Sequence, residues 1–270
     1  MSMMLRMAGT LGQRRMSSPL HPQTLDYIAR LKDVDGHDPA FDAANDYLIR
    51  ELVNLGGAYW DTMGTMTTLV GKKWEGLLVP LRDGMNVGTN VDDNFVIGDF
   101  NAKTGLIGDG STKYINSNRN NNADGRDDQS MGVWLTSVTT LTSYVSPMGA
   151  DESHWAKRAT SSSTYVPRNR SSTANVFNTD GIFMPGYEGM SRSNSANFDF
   201  REKGGTRTLT RASSSPVDQN VFVMARNSAT GAALHSNERS SLYHIGPALN
   251  LATLDGILTE YMSRINEVTL

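Results

Sequence analysis

TGLIGDGSTKYINSNRNNNADGR, residues Thr104–Arg126, decides the fold class of this chain. Leu106 and Ile107 lead into Gly108-Asp109-Gly110, and Tyr114 and Ile115 resume an apolar run after it. Glycines accept positive φ without a Cβ clash, so the grammar is strand, hairpin-type turn, strand. Asn116–Arg126 then abandons apolar character and reads as a polar asparagine loop.

Outward from this stretch, period-two alternation continues between Gly, Asn and Ser punctuation. It gives candidate strands at Phe95–Phe100, Lys113–Asn116, Met131–Thr136, Ser143–Ser146, Trp155–Arg158, Gly181–Met184, Phe198–Glu202, Thr206–Arg211, Val221–Arg226 and Ser240–Ile245. FDFREKGGTRTLTR, Phe198–Arg211, alternates on both sides of Gly204-Gly205 and reads as a β-hairpin. Val221–Met224 is continuously apolar, as suits a strand buried on both faces. Thr160–Thr179 is rich in Ser, Thr and Asn and reads as a long polar loop or a loop-strand-loop, not as a separate linker. Many short strands with no intervening helices argue for an antiparallel sandwich over a βαβ fold.

The N-terminal third differs. Asp38 caps and Pro39 opens a helix whose stripe is Phe41, Ala44, Leu48, Leu52 and Leu55, ended by Gly56-Gly57. A shorter helix around Leu25, Ile28 and Leu31 precedes it. Tyr59–Leu81 carries Trp60, Met63, Met66, Leu69, Trp74, Leu77 and Leu78, read as short helices covering a sheet face. At the other end Asn250 caps a helix with Leu251, Leu254, Leu258, Tyr261 and Ile265 on one stripe. The expected class is mainly β, with residues 1–23 an extended arm, 24–94 a helical docking segment, and 95–270 a β-sandwich ending in a helix.

Composition excludes several classes. A formal net charge of −3 gives no overall field toward nucleic acid or anionic lipid. The absence of cysteine excludes disulfides, thiolate zinc sites and thiol catalysis. No run approaches the roughly 18 apolar residues of a membrane helix, so no membrane insertion is expected. The first 25 residues hold Arg6, Arg14 and Arg15 and no acidic residue, which suits a basic arm better than a secretory signal.

Chemistry-bearing residues are sparse. Asn118, Asp124, Asp127 and Asp128 offer the oxygen ligands calcium prefers, but out of EF-hand order and beside Arg119 and Arg126. None of the histidines at 21, 37, 154, 235 and 244 stands at metal-site spacing, and His244 reads as a sandwich-edge residue. No G-x-S-x-G elbow or phosphate loop is present. Strand-borne acid pairs of the Glu-x-Asp-x-Glu kind are also missing: Phe198–Glu202 sets Asp199 and Arg201 on one face as an ion pair, and the glutamates are dispersed. Tyr114, Trp155, Tyr165 and Tyr187 are candidate platforms for a sugar. Trp60, Met63, Met66 and Trp74 are candidate anchors of a docking interface. No cofactor is called for, and a non-enzymatic role is expected.

The segment TGL-GDGSTKY-NSNRNNNAD, with the Ser241–Gly246 strand leading into a C-terminal helix, resembles the concanavalin A-like or laminin G-like jelly-roll modules of tailed-bacteriophage structural proteins. The resemblance runs from about Phe95 to the C-terminus. It implies a virion structural protein displayed on the particle surface, either a capsid decoration (cement) protein or a small tail component. Its implied partners are capsid or tail subunits and further copies of itself, in a trimer or another closed homo-oligomer. A carbohydrate- or receptor-binding tail adhesin, engaging host-surface polysaccharide, is the alternative.

Overall fold

In the computed structural model, which describes residues 19–90, 94–139, 141–159, 163–179 and 181–270, helices form where the sequence supplies caps and stripes. α1 (Pro22–Asp33) starts on proline and buries Thr24, Tyr27, Ile28 and Leu31. Asp38 accepts a hydrogen bond from the Ala40 N–H and begins a 3-10 turn that runs into α2 (Asp42–Leu55). Gly56, at φ 58°, ends α2 in a backbone conformation that favours glycine. The next segment is not helical as expected. Between the 3-10 turns Gly57–Tyr59 and Trp74–Gly76 lies a fully buried strand, β1 (Thr65–Thr68). Its β-branched threonines suit a pleated surface.

Short strands follow: β2 (Thr89–Asn90), β3 (Phe100–Asn101), β4 (Gly105–Ile107) and β5 (Ile115–Asn120), then β6 (Gln129–Ser137) and β7 (Met148–Ala150). The chain continues through β8 (Ser153–Ala159), β9 (Ser163–Asn169), β10 (Phe177–Thr179) and β11 (Gly186–Arg192). The hairpin β12 (Asn197–Glu202) and β13 (Gly205–Thr210) forms as read, with Asp199 opposite Thr208. β14 (Asn220–Val223), β15 (Arg226–Ser228), β16 (Gly231–Ala233) and β17 (Arg239–Gly246) precede α3 (Leu251–Glu267), which Asn250 caps by accepting from the Thr253 N–H.

One sheet has the order β13-β12-β11-β6-β17-β4-β3, with β1 also on β17. β4 takes Arg239–Ser240 and β1 takes Leu242–Ile245 of the same edge. Opposite it lie the row β16-β15-β7-β14-β5-β2 and the shorter row β10-β9-β8, linked by a bridge between Val145 and Lys157. Among the described residues every strand pairing is antiparallel except β15 with β7. The result is a β-sandwich with helices on the outer face of its larger sheet.

Several expected strands move. Phe95–Phe100 contains a 3-10 turn at Ile97–Asp99 and only its last residue enters β3. Ser143–Ser146 contributes just the Val145 bridge, and Gly181–Met184 is loop leading to β11. Thr160–Thr179, read as loop or loop-strand-loop, contains two strands, β9 and β10; β9 turns Ser163, Tyr165, Pro167 and Asn169 inward, and this mixed set hides the alternation. The deciding turn also differs from the hairpin reading: β4 and β5 belong to opposite sheets, so Gly108-Asp109-Gly110 is an arch between layers. Gly108 is needed there because a Cβ would strike the Ser236 carbonyl. The Asp109 carboxylate accepts from the N–H groups of Ser111, Thr112 and Lys113 and from the Thr112 hydroxyl at 2.6–3.0 Å. Its modest burial would raise its pKa, but these bonds win and hold the group well below the carboxylate range.

Two apolar cores result. One lies between the helices and the larger sheet, around Leu48, Ile49, Leu254, Leu258 and Tyr261. The other lies between the sheets, around Met131, Val133, Trp155, Phe198, Phe200 and Val223.

Candidate functional site

Charge converges at one place inside the sandwich. β8 points Trp155 and Lys157 across to β11, and the Lys157 ammonium lies 2.8 Å from both the Glu188 and Glu238 carboxylates. Glu188 also accepts from the Tyr165 hydroxyl at 2.8 Å and the Trp155 indole at 2.9 Å, while Ser236 donates to Glu238 at 3.1 Å. Lys157, Glu188 and Glu238 are 0%, 2% and 1% exposed. Burial alone would pull Lys157 down, but its two carboxylates keep it above its ordinary value. Burial, opposed by Lys157 and reinforced by Glu188, raises Glu238 to about 7.

Two carboxyls held on one ammonium are near enough for glycosidase-type geometry, where about 5 Å separates nucleophile and acid. A substrate cannot reach them, and both face a lysine. The arrangement ties three segments together; it offers no open cleft for acid–base work. The convergence was hidden in sequence because Glu188 and Glu238 are 50 positions apart along the chain. The available signal was Lys157, two residues beyond Trp155 and therefore on the same inward face.

A second polar centre explains the Asn/Asp loop. The Arg170 guanidinium, from the end of β9, donates to the Asp124 carbonyl at 2.7 Å and to those of Gly125 and Asn121. Asp124 pairs with Arg119 at 2.5 Å, Asp128 accepts from the Ala248 N–H at 2.7 Å, and Asp127 lies 3.8 Å from Arg126. Asn118 donates to the Val87 carbonyl. The four candidate calcium ligands thus face different partners, and an arginine already gathers the loop carbonyls. Among the described residues no three acidic or histidine side chains are grouped as a metal site.

Three of the four aromatic candidates lie in the interior. Trp155, Tyr165 and Tyr187 are 0%, 1% and 2% exposed, so none offers a face to a sugar. Tyr187 bonds His244 at 2.7 Å, and His244 is fully buried in the central strand β17, not at a sheet edge. Tyr114 is half-buried and stacks on Phe222 at 4.5 Å. Of the docking candidates, Trp60, Met63 and Met66 belong to the helix-side core. Trp74 alone of the four is half-buried, at a cavity of about 290 Å³ lined also by Leu77, Phe95 and Ile115. Arg201 pairs not with Asp199 but with Asp255 of α3, at 2.7 Å. The basic arm, residues 1–18 of the expected 1–23, lies outside the described residues.

No family model and no curated protein matches the sequence. Among solved structures, a Trypanosoma rangeli sialidase mutant displaying trans-sialidase activity aligns at 10% identity over 87% of this chain and 39% of its own, with TM-score 0.49. The receptor binding domain of botulinum neurotoxin mosaic serotype C/D aligns at 10% identity over 75% of this chain and 51% of its own, with TM-score 0.48. The CBM40 of Ruminococcus gnavus IT-sialidase, bound to α2,3-sialyllactose, aligns at 8% identity over 53% and 83%, with TM-score 0.35. The chain spans about half or less of the sialidase and toxin chains, and at TM-scores below 0.5 these likenesses say nothing of its function. Among the described residues no helix is long and apolar enough to cross a membrane.

Proposed function

We propose that this chain is a non-enzymatic structural module of a tailed-bacteriophage particle, a capsid decoration protein or a small tail component. The observation that carries the non-enzymatic part is the sealed Lys157–Glu188–Glu238 cluster: the carboxylates that converge in space are spent on joining layers. The particle assignment is supported by the Thr104–Asp124 segment and its resemblance to phage jelly-roll modules. Interior use of Trp60, Met63 and Met66 removes the anchors expected on the helical side, so contacts to neighbouring subunits or further copies would use other surfaces. Exposed Ile182, Met184, Val176, Val96 and Ile97 are among the large apolar side chains left on the sandwich.

Gold-labelled antibody against residues 95–270, applied to purified particles, tests this reading in the electron microscope. Label over the head supports decoration, and label confined to the tail supports the tail component. Intact particles without label, from lysates that contain the protein, overturn both.

A further inference from the structure

The outer face of β8 and β9 carries two arginines, Arg158 and Arg168, that form no ion pair with any described residue. Strand alternation turns Trp155, Lys157 and Tyr165 inward, so His154, Ala156 and Arg158 share the outer face with Thr164, Val166 and Arg168. Register sets His154 opposite Arg168 and Arg158 opposite Thr164. The Arg158 guanidinium lies 4.5 Å from the Tyr144 ring centre. Neither Arg158 nor Arg168 forms an ion pair with another described residue, and the Nε of each is buried with no hydrogen-bond acceptor among them. Gly149, which a Cβ would drive into His154, pairs with Arg226, bringing a third arginine alongside. Asp151, 3.6 Å from Arg226, is the acidic group that faces it. Burial, with Arg226 and Arg168 adding to it, lowers His154 and keeps it neutral among these cations.

We propose that this face binds an acidic polysaccharide. Arginine presents a planar fork that matches a carboxylate bidentately. The terminal N–H groups of these half-buried guanidiniums, not their buried Nε, are the donors such recognition would use, and they have no partner among the described residues. The two unpaired arginines start from positions four residues apart along the strands, about 13 Å at the usual strand rise. Between them stand the buried Ala156 and the half-buried Val166. Two separated stations on one shallow face suit a polymer that repeats its charge better than a single small anion. Nucleic acid fits less well, because stacking platforms carry much of single-strand binding, Tyr144 is covered by Arg158, and Trp155 and Tyr165 are inside. This site goes beyond the particle assignment and stands whether or not that assignment holds.

Calorimetry of the full chain with galacturonic acid monomer, tetramer and octamer tests it, against neutral maltooligosaccharides of equal length and single-stranded oligothymidylate. The expected result is affinity that rises with length for the acidic series, falls with salt, and drops at least tenfold in both Arg158→Ala and Arg168→Ala. Arg158→Lys should recover part of the loss, and Arg207→Ala, on β13, should bind as the parent does. Thermal melts of each variant separate misfolding from lost contacts. Sialic acid oligomers in place of galacturonate show which acidic sugar is preferred. Equal binding of neutral sugars, equal binding of oligothymidylate, no binding by the folded parent, or full affinity in both alanine variants would overturn the proposal.

Discussion

The two cores of this molecule use opposite chemistry on the two faces of one sheet. On the helix side Leu48, Ile49, Leu254 and Leu258 pack as an apolar layer, with the Tyr261–Asn45 bond at 3.2 Å as a polar contact inside it. Between the sheets, a lysine, two glutamates, a tyrosine and an indole form one hydrogen-bonded cluster among Met131, Phe200 and Val223. An apolar layer tolerates sliding and repacking, whereas a charge cluster is stabilising only when every member has its partner. The sandwich is therefore the part held to a single register, and the helical layer adds burial to it.

That contrast can be broken most directly at Lys157. Lys157→Met strands two buried carboxylates and should cost about 4 kcal/mol in urea unfolding, as breaking a buried ion pair does; a loss under about 1 kcal/mol would mean that the cluster is not a structural tie. Leu48→Ala leaves a void in the helix-side core and should cost about 3 kcal/mol. The two losses should add in the double variant if the cores act independently.

Acid should separate the cores further. Glu238, raised to about 7 from 4.5, stabilises the fold as pH falls from about 7 to 4.5, since the folded state takes up the proton first. His154 and His244, buried and lowered to about 3 from 6.5, act oppositely: their contribution is complete above 6.5 and is lost as pH falls toward 3. Two histidines outweigh one glutamate below 6.5, so stability should fall by about 2 kcal/mol between pH 6.5 and 5. Denaturant titrations at the two values check this, and His244→Gln should nearly flatten the drop. The smallest expected effect is on the helix side, where Asn250→Ala removes the α3 cap and should cost about 1 kcal/mol.

What was legible in the sequence follows the same division. Caps, stripes and the β12–β13 hairpin are local, and Asp38, Gly56, Asn250 and Gly204-Gly205 stand where the chain needs them. The sandwich class was legible from strand density. The arch at Gly108–Gly110 was misread because a glycine turn looks the same whether its strands pair or diverge to opposite layers. β1 escaped because Trp60, Met63 and Met66 also satisfy helical spacing, while its pairing with Leu242–Ile245 lies far along the chain. Three of the aromatic candidates were hard to place for a related reason: residue type gives no sign of which face of a strand is covered, and Trp155, Tyr165 and Tyr187 point inward.

β1 and α2 both rest on the last stretch of the chain, through the β1–β17 register and the packing of α2 on α3. During synthesis these early segments emerge long before their partners. Leu48, Met66 and Trp60 then lack these partners until residues 239–267 have been made, so the contacts that bury them are long-range ones that form only after that stretch is synthesised.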